Sequence, residues 1–413
     1  MLLTLACLST SAFATPAGAS SDRGEHLSLR WRAPVIRLAI SNSLLRPGSN
    51  IKADSDVSGA IKRSLAAWSD VAEVEFASVE SDRQSISPSG VAGDGVSLIT
   101  IAQTPENVML FSRDPSGESA RTRVFYNRIG TITEADIVLN PFLQFSTDGT
   151  FGTFDLESTL THEIGHLLGI RHSGVIGSAM SESLARNNET STLNGPRKLA
   201  TSDIASVRQK YGASNAEDCC ASVTGKLAAR SANGIAVWAE ENGTGRVSAW
   251  TETATDGSFE LGGMPSGSYS LLWRRSDGNS NSTIGYLGMI RLHAGDTSSV
   301  SQKLEPVDAG EELLFVGLNS QLTDSSITLE AGREHIVFLG GTAVDRQGLV
   351  VEFNSPFLTV VPGTIRPHDF GDDLSVISFV LRISPEAPPG LYSIFATRED
   401  SISAALPGAV TVR

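Results

Sequence analysis

Residues 162–172 read HEIGHLLGIRH. Residues four apart lie on one face of a helix, so His162 and His166 point the same way if this run is helical. Asp155 is a candidate N-cap, apolar residues recur after it at helical spacing, and Gly169 is a candidate helix end. The stretch therefore predicts a helix with two adjacent imidazoles on one face.

The ligand set within this run predicts a catalytic zinc site. After Gly169 the chain turns back, and His172 arrives from a loop as a third ligand beside His162 and His166. Three protein ligands leave the fourth tetrahedral position of zinc to water. Glu163 flanks that position and can take a proton from the water, whose pKa zinc lowers to about 7. H-E-x-x-H alone occurs by chance, but the added Gly169 and His172 make a coincidence much harder to accept.

Other segments resemble the metzincin zinc proteases, and among them the matrixin-like (matrix-metalloprotease-like) catalytic domain. The similar segments occur in the family's order and are residues 31–40 (WRAPVIRLAI), 67–76 (AWSDVAEVEF), 130–140 (GTITEADIVLN) and 201–212 (TSDIASVRQKYG). The resemblance implies an α+β domain with a twisted mixed sheet and three helices. It also implies one catalytic zinc held by His162, His166 and His172, Glu163 as the base, and Met180 as the methionine-turn residue.

The resemblance suggests where a substrate peptide would bind. An extended peptide would lie along an exposed sheet edge, for which residues 121–127 are the candidate, and backbone pairing would hold it there. Arg121, Val124 and Asn127 are the candidate substrate-binding residues of that edge. Ser181 and Ser183 stand where relatives have a Tyr-Pro pair that lines the specificity pocket, so the pocket should differ in shape.

Calcium is a further candidate metal ion. Asp94, Asp114, Asp136 and Asp148 could supply carboxylate oxygens. Scattered surface aspartates are also ordinary in an acidic chain, and that interpretation applies equally to each of them.

The chain after residue 212 predicts two all-β sandwich domains. Residues 255–269 (TDGSFELGGMPSGSY) are similar to a signature of carboxypeptidase-regulatory-like β-sandwiches, and residues 306–413 loosely resemble an immunoglobulin-like sandwich. Residues 279–282 and 298–301 predict loops. His293, His335 and His368 lack the spacing of metal ligands.

The first fourteen residues predict a secretory signal, with Ala12-Phe13-Ala14 as the cleavage motif. A lipoprotein signal using Cys7 and a misassigned start are the alternatives. Cys219 and Cys220 are adjacent, and neighbouring cysteines pair only through a strained ring, so we expect them to stay unpaired. A regulatory vicinal disulfide is the alternative.

Composition limits the partners. The net charge of −14 argues against nucleic acid and anionic membranes, and no apolar run beyond the N-terminus is long enough to span a bilayer. Protein or peptide substrates remain, with a surface or matrix ligand for the sandwiches, and we expect a monomer.

The sequence therefore predicts a secreted zinc endopeptidase that hydrolyses peptide bonds with a zinc-activated water. We expect the protein to be extracellular, and the alternatives are the periplasm and the cell surface. The predicted parts are a signal peptide (1–14), an N-terminal segment (15–30), the protease domain (31–213) and two sandwiches (221–305 and 306–413). The alternative function is adhesion or extracellular-matrix binding with a secondary or inactive protease domain.

Overall fold

The computed structural model comprises three units, and each has its own apolar core. We call them the N-terminal unit (residues 27–215), the middle unit (219–304) and the C-terminal unit (312–413). The described residues are 27–46, 48–88, 93–112, 117–182, 186–187, 197–215, 219–276, 282–304, 312–345, 348–371, 374–398 and 401–413. Among them, no helix is long and apolar enough to cross a bilayer.

The N-terminal unit combines a mixed sheet with helices, as the sequence predicts. In chain order its elements are β1 (Ile36–Ser41), α1 (Asn42–Leu45), α2 (Val57–Ser69), β2 (Phe76–Ser81), β3 (Ser97–Thr100), α3 (Pro105–Met109), β4 (Ala120–Tyr126), β5 (Ile132–Leu139), β6 (Phe145–Ser146), β7 (Phe154–Asp155), α4 (Leu156–Leu167) and α5 (Thr201–Tyr211). The main sheet has the order β2-β1-β3-β5-β4. Only β4 runs antiparallel to its neighbour, and it lies at the edge. The long helices are the three that were predicted, and α1 and α3 are short additions.

Helix α2 packs against α4 and fixes it on the sheet. The apolar face of α2 is buried, including Ile61, Leu65 and Trp68. The Trp68 indole N–H also donates to the Thr161 carbonyl of α4 at 2.9 Å. Burying each large apolar side chain contributes roughly 1.5–3 kcal/mol, so this contact holds the helix that carries the HEIGH residues rigidly in place.

The middle unit consists of two sheets around one core. Its strands are β8 (Ala221–Ala228), β9 (Ala236–Glu241), β10 (Val247–Glu252), β11 (Ser258–Met264), β12 (Gly267–Ser276), β13 (Ser282–Leu292) and β14 (Thr297–Lys303). They form sheets of order β10-β9-β12-β13 and β11-β8-β14. Buried residues of both sheets share one cluster.

The C-terminal unit is also built from two sheets. Its strands are β15 (Glu312–Leu318), β16 (Gln321–Thr323), β17 (Ile327–Leu329), β18 (Glu334–Thr342), β19 (Val350–Glu352), β20 (Leu358–Val360), β21 (Arg366–Asp369), β22 (Ser375–Ile383), β23 (Gly390–Arg398) and β24 (Ser401–Val412). The sheet orders are β16-β15-β18-β22-β20, with β21 also on β22, and β17-β24-β23-β19.

In both the middle and the C-terminal unit, a P-x-G-x-Y segment starts a strand. The Tyr269 hydroxyl donates to the Pro265 carbonyl at 2.8 Å, and the Tyr392 hydroxyl donates to the Pro388 carbonyl at 2.6 Å. Each ring is buried while its hydroxyl bonds back four residues, which fixes the turn before the strand.

Two predictions for this half of the chain are wrong. Residues 298–301 are not a loop but lie within β14, an exposed strand that pairs in parallel with β8. Its polarity reflects its place at a sheet edge, where backbone pairing alone holds it. Cys219 and Cys220 are not unpaired, because they form a disulfide with each other.

A buried carboxyl joins the middle and C-terminal units. Glu240 of β9 is fully buried and accepts hydrogen bonds from the Trp238 indole at 2.9 Å, the Ser393 hydroxyl at 2.6 Å and the Asn354 amide at 3.1 Å. These three donors are neutral, so burial raises the pKa of Glu240 above its usual value.

Candidate metal centre

Helix α4 brings the first two histidines together. The Asp155 carboxyl caps its first turn by accepting from the Ser158 N–H at 2.8 Å, as the sequence predicts. The helix ends near Gly169, whose φ of 79° lets the chain turn back. The Nε2 atom of His166 then lies 3.0 Å from Nε2 of His162 and 3.0 Å from Nε2 of His172.

Backbone carbonyls fix the protonation of two of these rings. Nδ1 of His162 lies 2.8 Å from the Ala179 carbonyl, and Nδ1 of His166 lies 2.9 Å from the Ile170 carbonyl. A carbonyl only accepts, so each Nδ1 carries the proton and each Nε2 has a free lone pair. Burial also lowers the pKa of His162 to about 4 and lowers the pKa of His166 and His172, so all three rings are neutral at pH 7.

This donor set fits zinc. Three lone pairs converge within 4.8 Å of one another, and among the described residues no other cluster of histidine, cysteine and carboxylate groups does so. Zinc–nitrogen bonds of about 2.0–2.1 Å in a tetrahedron place ligand nitrogens about 3.3 Å apart, close to the spacing seen here. Neutral lone pairs repel one another at such a distance unless a cation lies between them, so the residues are suited to hold one.

Glu163 lies beside the imidazole cluster and is held by the edge strand. Its side chain accepts a hydrogen bond from the Thr122 hydroxyl of β4, which also lies 3.1 Å from the Glu163 carbonyl. Burial raises the pKa of Glu163 to about 7, and the Thr122 hydrogen bond opposes that rise. A carboxyl with such a pKa can accept and return protons near neutral pH. The role of Thr122 cannot be predicted from sequence, because Thr122 lies 41 residues before Glu163 in the chain.

Met180 lies under α4 against a glycine. A Cβ on Gly165 would lie 2.2 Å from the Met180 sulfur and 2.9 Å from Trp68, so only glycine fits between them. The Asp203 carboxyl of α5 accepts from the Ala179 N–H at 2.8 Å and thereby holds the same turn. Like Thr122, Asp203 has a supporting role that could not be predicted, because its only signal in the sequence is an acidic residue in the first turn of α5.

The predicted substrate residues are not all equivalent. Arg121 pairs with Glu118 at the edge strand, whereas Val124 packs against the core. Asn127 accepts from the Ile129 and Thr131 N–H groups and therefore holds the β4–β5 turn.

The predicted specificity wall is only partly described. Ser181 is buried, and its N–H donates to the Ser178 carbonyl at 3.1 Å. Ser183 lies outside the described residues.

The candidate calcium ligands that are described each pair with a cationic side chain. Asp94 pairs with Arg83, Asp136 with Arg123 and Asp148 with Lys52. These three described aspartates do not form a cluster that could hold a metal ion. Asp114 lies outside the described residues.

One family model matches part of the N-terminal half of the chain. Residues 31–212 match the sequence model of the matrixin family, which supports a matrixin-like catalytic domain there. No curated protein matches the chain.

Solved structures overlap with it only loosely. One is the major pilin subunit BcpA of Bacillus cereus, with 10% identity and a TM-score of 0.15 over 47% of this chain and 69% of that one. Another is SGBP-B of the Bacteroides ovatus mixed-linkage glucan utilization locus, with 12% identity and a TM-score of 0.16 over 46% of this chain and 42% of that one.

Proposed function

We propose that the matrixin-like N-terminal unit makes this protein a secreted zinc-dependent endopeptidase. The observation that carries the proposal is the convergence of three neutral Nε2 atoms, 3.0 Å from one to the next, beside a buried Glu163. The match of residues 31–212 to the matrixins supports the same chemistry.

The chain's own residues would divide the work as follows. His162, His166 and His172 hold the metal. When bound, zinc acts as a Lewis acid toward water and the substrate carbonyl. The Glu163 carboxylate accepts a proton from the attacking water and later donates it to the nitrogen of the leaving amine. Thr122 keeps that carboxylate aimed by its hydrogen bond.

The substrate would bind as an extra strand. β4 is the sheet edge next to Glu163, so its outer N–H and C=O groups are available to pair with an extended peptide. Arg121, Val124 and Asn127 belong to this edge in the proposal, and Ser181 and Ser183 shape the pocket. Because Val124 packs against the core, it would hold β4 in position rather than contact the peptide.

The remaining regions have proposed roles as well. Residues 1–14 would direct secretion, and they lie outside the described part of the chain. Residues 221–305 would form a carboxypeptidase-regulatory-like sandwich and residues 306–413 an immunoglobulin-like sandwich, in agreement with two sheets around one core in each.

The experiment compares wild-type protein with Glu163→Ala. We expect both to bind one zinc, because Glu163 is not among the converging ligands. The wild type should cleave an unfolded protein substrate in a chelator-sensitive way, and the variant should lose at least about a hundredfold of that rate. A wild type that binds zinc without cleaving would favour adhesion or matrix binding with an inactive protease domain.

A further inference from the structure

The loop after the third histidine reaches away from the metal centre and into the other two units. We define the loop tip as residues 174–177, between His172 and Met180. We propose that the middle and C-terminal units position His172 and Met180 by holding this tip, so that zinc affinity depends on contacts outside the N-terminal unit. This inference rests on the proposed zinc site.

Both ends of the loop belong to the metal centre. His172 lies at its start, and at its end the Ala179 carbonyl accepts from His162 and Met180 packs beneath α4. The Ser173 N–H donates to the Met180 carbonyl at 2.8 Å and closes the loop. Only a few residues separate the tip from His172 and from the Ala179 carbonyl, which orients His162. A displacement of the tip would therefore move both.

The middle unit contacts the tip through a tryptophan. A Cβ on Gly174 would lie 2.4 Å from Cζ2 and 2.6 Å from Cη2 of Trp250 in β10. The Trp250 ring stacks on Trp238 with their centroids 6.1 Å apart. Gly174 thus lets the backbone of the loop lie directly against a ring that is itself held by its own unit.

The C-terminal unit contacts the next residues. Val175 is fully buried in a cluster that joins both units, with Trp238, Val247 and Leu272 from one and Leu391, Phe395 and Ala405 from the other. The Ile176 N–H donates to the Pro407 carbonyl at 3.1 Å. A Cβ on Gly177 would lie 2.4 Å from Leu391 Cδ2.

These contacts give the loop a rigidity that loops ordinarily lack. A connecting segment usually runs over the surface and moves, but this tip is enclosed by two folded units. A metal ligand must be held to within about 0.5 Å of its productive position. The tip residues and the side chains that enclose them therefore act as positioning residues for the metal site.

The test uses the full chain and the metal alone. Zinc affinity is measured by competition with a colour-changing chelator, and the absorption spectrum of bound Co²⁺ reports the coordination geometry. Gly174→Ala should weaken zinc binding about tenfold, the usual effect of disturbing residues behind a ligand. In a Trp250→Ala background the same substitution should lower zinc affinity less than about twofold, because the ring that the added Cβ would strike is absent.

Two matched controls separate positioning from general damage. Gly225→Ala places a Cβ 2.3 Å from Phe259 in the β11-β8-β14 sheet of the middle unit, which contributes no residue to the cluster around Val175, and it should leave zinc affinity unchanged. Leu391→Ala should weaken zinc binding, whereas Leu381→Ala, also a buried leucine of the C-terminal unit, should not.

The inference is overturned if Gly174→Ala lowers zinc affinity equally with and without the Trp250 side chain. It is also overturned if the control variants lower zinc affinity as much as the tip variants do. A wild-type chain that fails to bind zinc would instead contradict the proposed function.

Discussion

At the scale of single residues, the hydroxyl of Thr122 affects the pKa of Glu163, the proposed general base. It donates to the Glu163 carboxylate and lowers the pKa that burial raises. Thr122→Val keeps the shape and removes the donor. We expect kcat to fall about tenfold, since one hydrogen bond to a charged group contributes about 1.5 kcal/mol.

The pH profile distinguishes this effect from misfolding. Glu163 must be deprotonated to accept a proton, and without the hydroxyl its pKa rises. The acid limb of kcat/KM should therefore move to higher pH in Thr122→Val and return in Thr122→Ser. An unmoved limb would contradict the role given to Thr122.

The sequence was most informative about single residues. The convergence of the three histidine side chains could be predicted, because a metal site demands particular residue types at helical spacing within one short segment. Thr122 and Asp203 could not, because nothing in their local sequence shows which distant atoms they meet.

At the scale of elements, helix α4 contains a glycine in its last turn for a packing reason. Alanine normally stabilises a helix interior by about 1 kcal/mol over glycine. At Gly165, however, the added Cβ strikes Met180 and Trp68. Gly165→Ala should therefore lower the free energy of unfolding of the N-terminal unit by about 1–3 kcal/mol, the usual cost of overpacking.

Urea denaturation followed by tryptophan fluorescence measures that loss. The double variant Gly165→Ala/Met180→Ala makes room for the Cβ, so its second substitution should cost less than Met180→Ala costs alone. Simple additivity of the two changes would show that the collision is absent.

Elements were predictable where burial imposes a pattern. The strands β9, β12 and β22 contain runs of buried apolar side chains, as expected of the all-β domains predicted after residue 212. β14 reads TSSVSQK, and its residues 298–301 predict a loop. An edge strand needs only backbone partners, so its side chains leave no periodic signal.

At the scale of the whole molecule, Glu240 makes the junction of the two C-terminal units sensitive to pH. Burial raises the pKa of its carboxyl in the folded state. The stability contributed by the neutral form is present at low pH and is lost as pH rises through that folded-state pKa. Glu240→Gln stays neutral, so relative to wild type it should gain stability as pH rises.

Denaturant unfolding at about pH 4 and about pH 8 measures this difference, since the contribution of a carboxyl with a raised folded-state pKa is fully present only below its usual pKa. Glu352→Gln, at an exposed strand position, is the matched control. An equal gap between wild type and Glu240→Gln at both pH values would contradict the assignment.

The arrangement of the three units was beyond prediction from sequence. Turn signals and alternating strands indicated two β regions after residue 212, and two such regions are present. Nothing in the local pattern of Gly174 or Val175 indicates that these residues meet Trp250 and Leu391. Such contacts depend on the relative placement of whole units.

The hydrogen bond from Ile176 to Pro407 has a consequence in time. Pro407 lies in β24, the last strand, so a growing chain contains all three histidines long before it contains the residue that completes their loop. During synthesis the histidines should therefore emerge as a weak metal binder and become a competent site only after the final strand has joined its sheet. Under the proposed function, proteolytic activity would likewise appear only after β24 has formed.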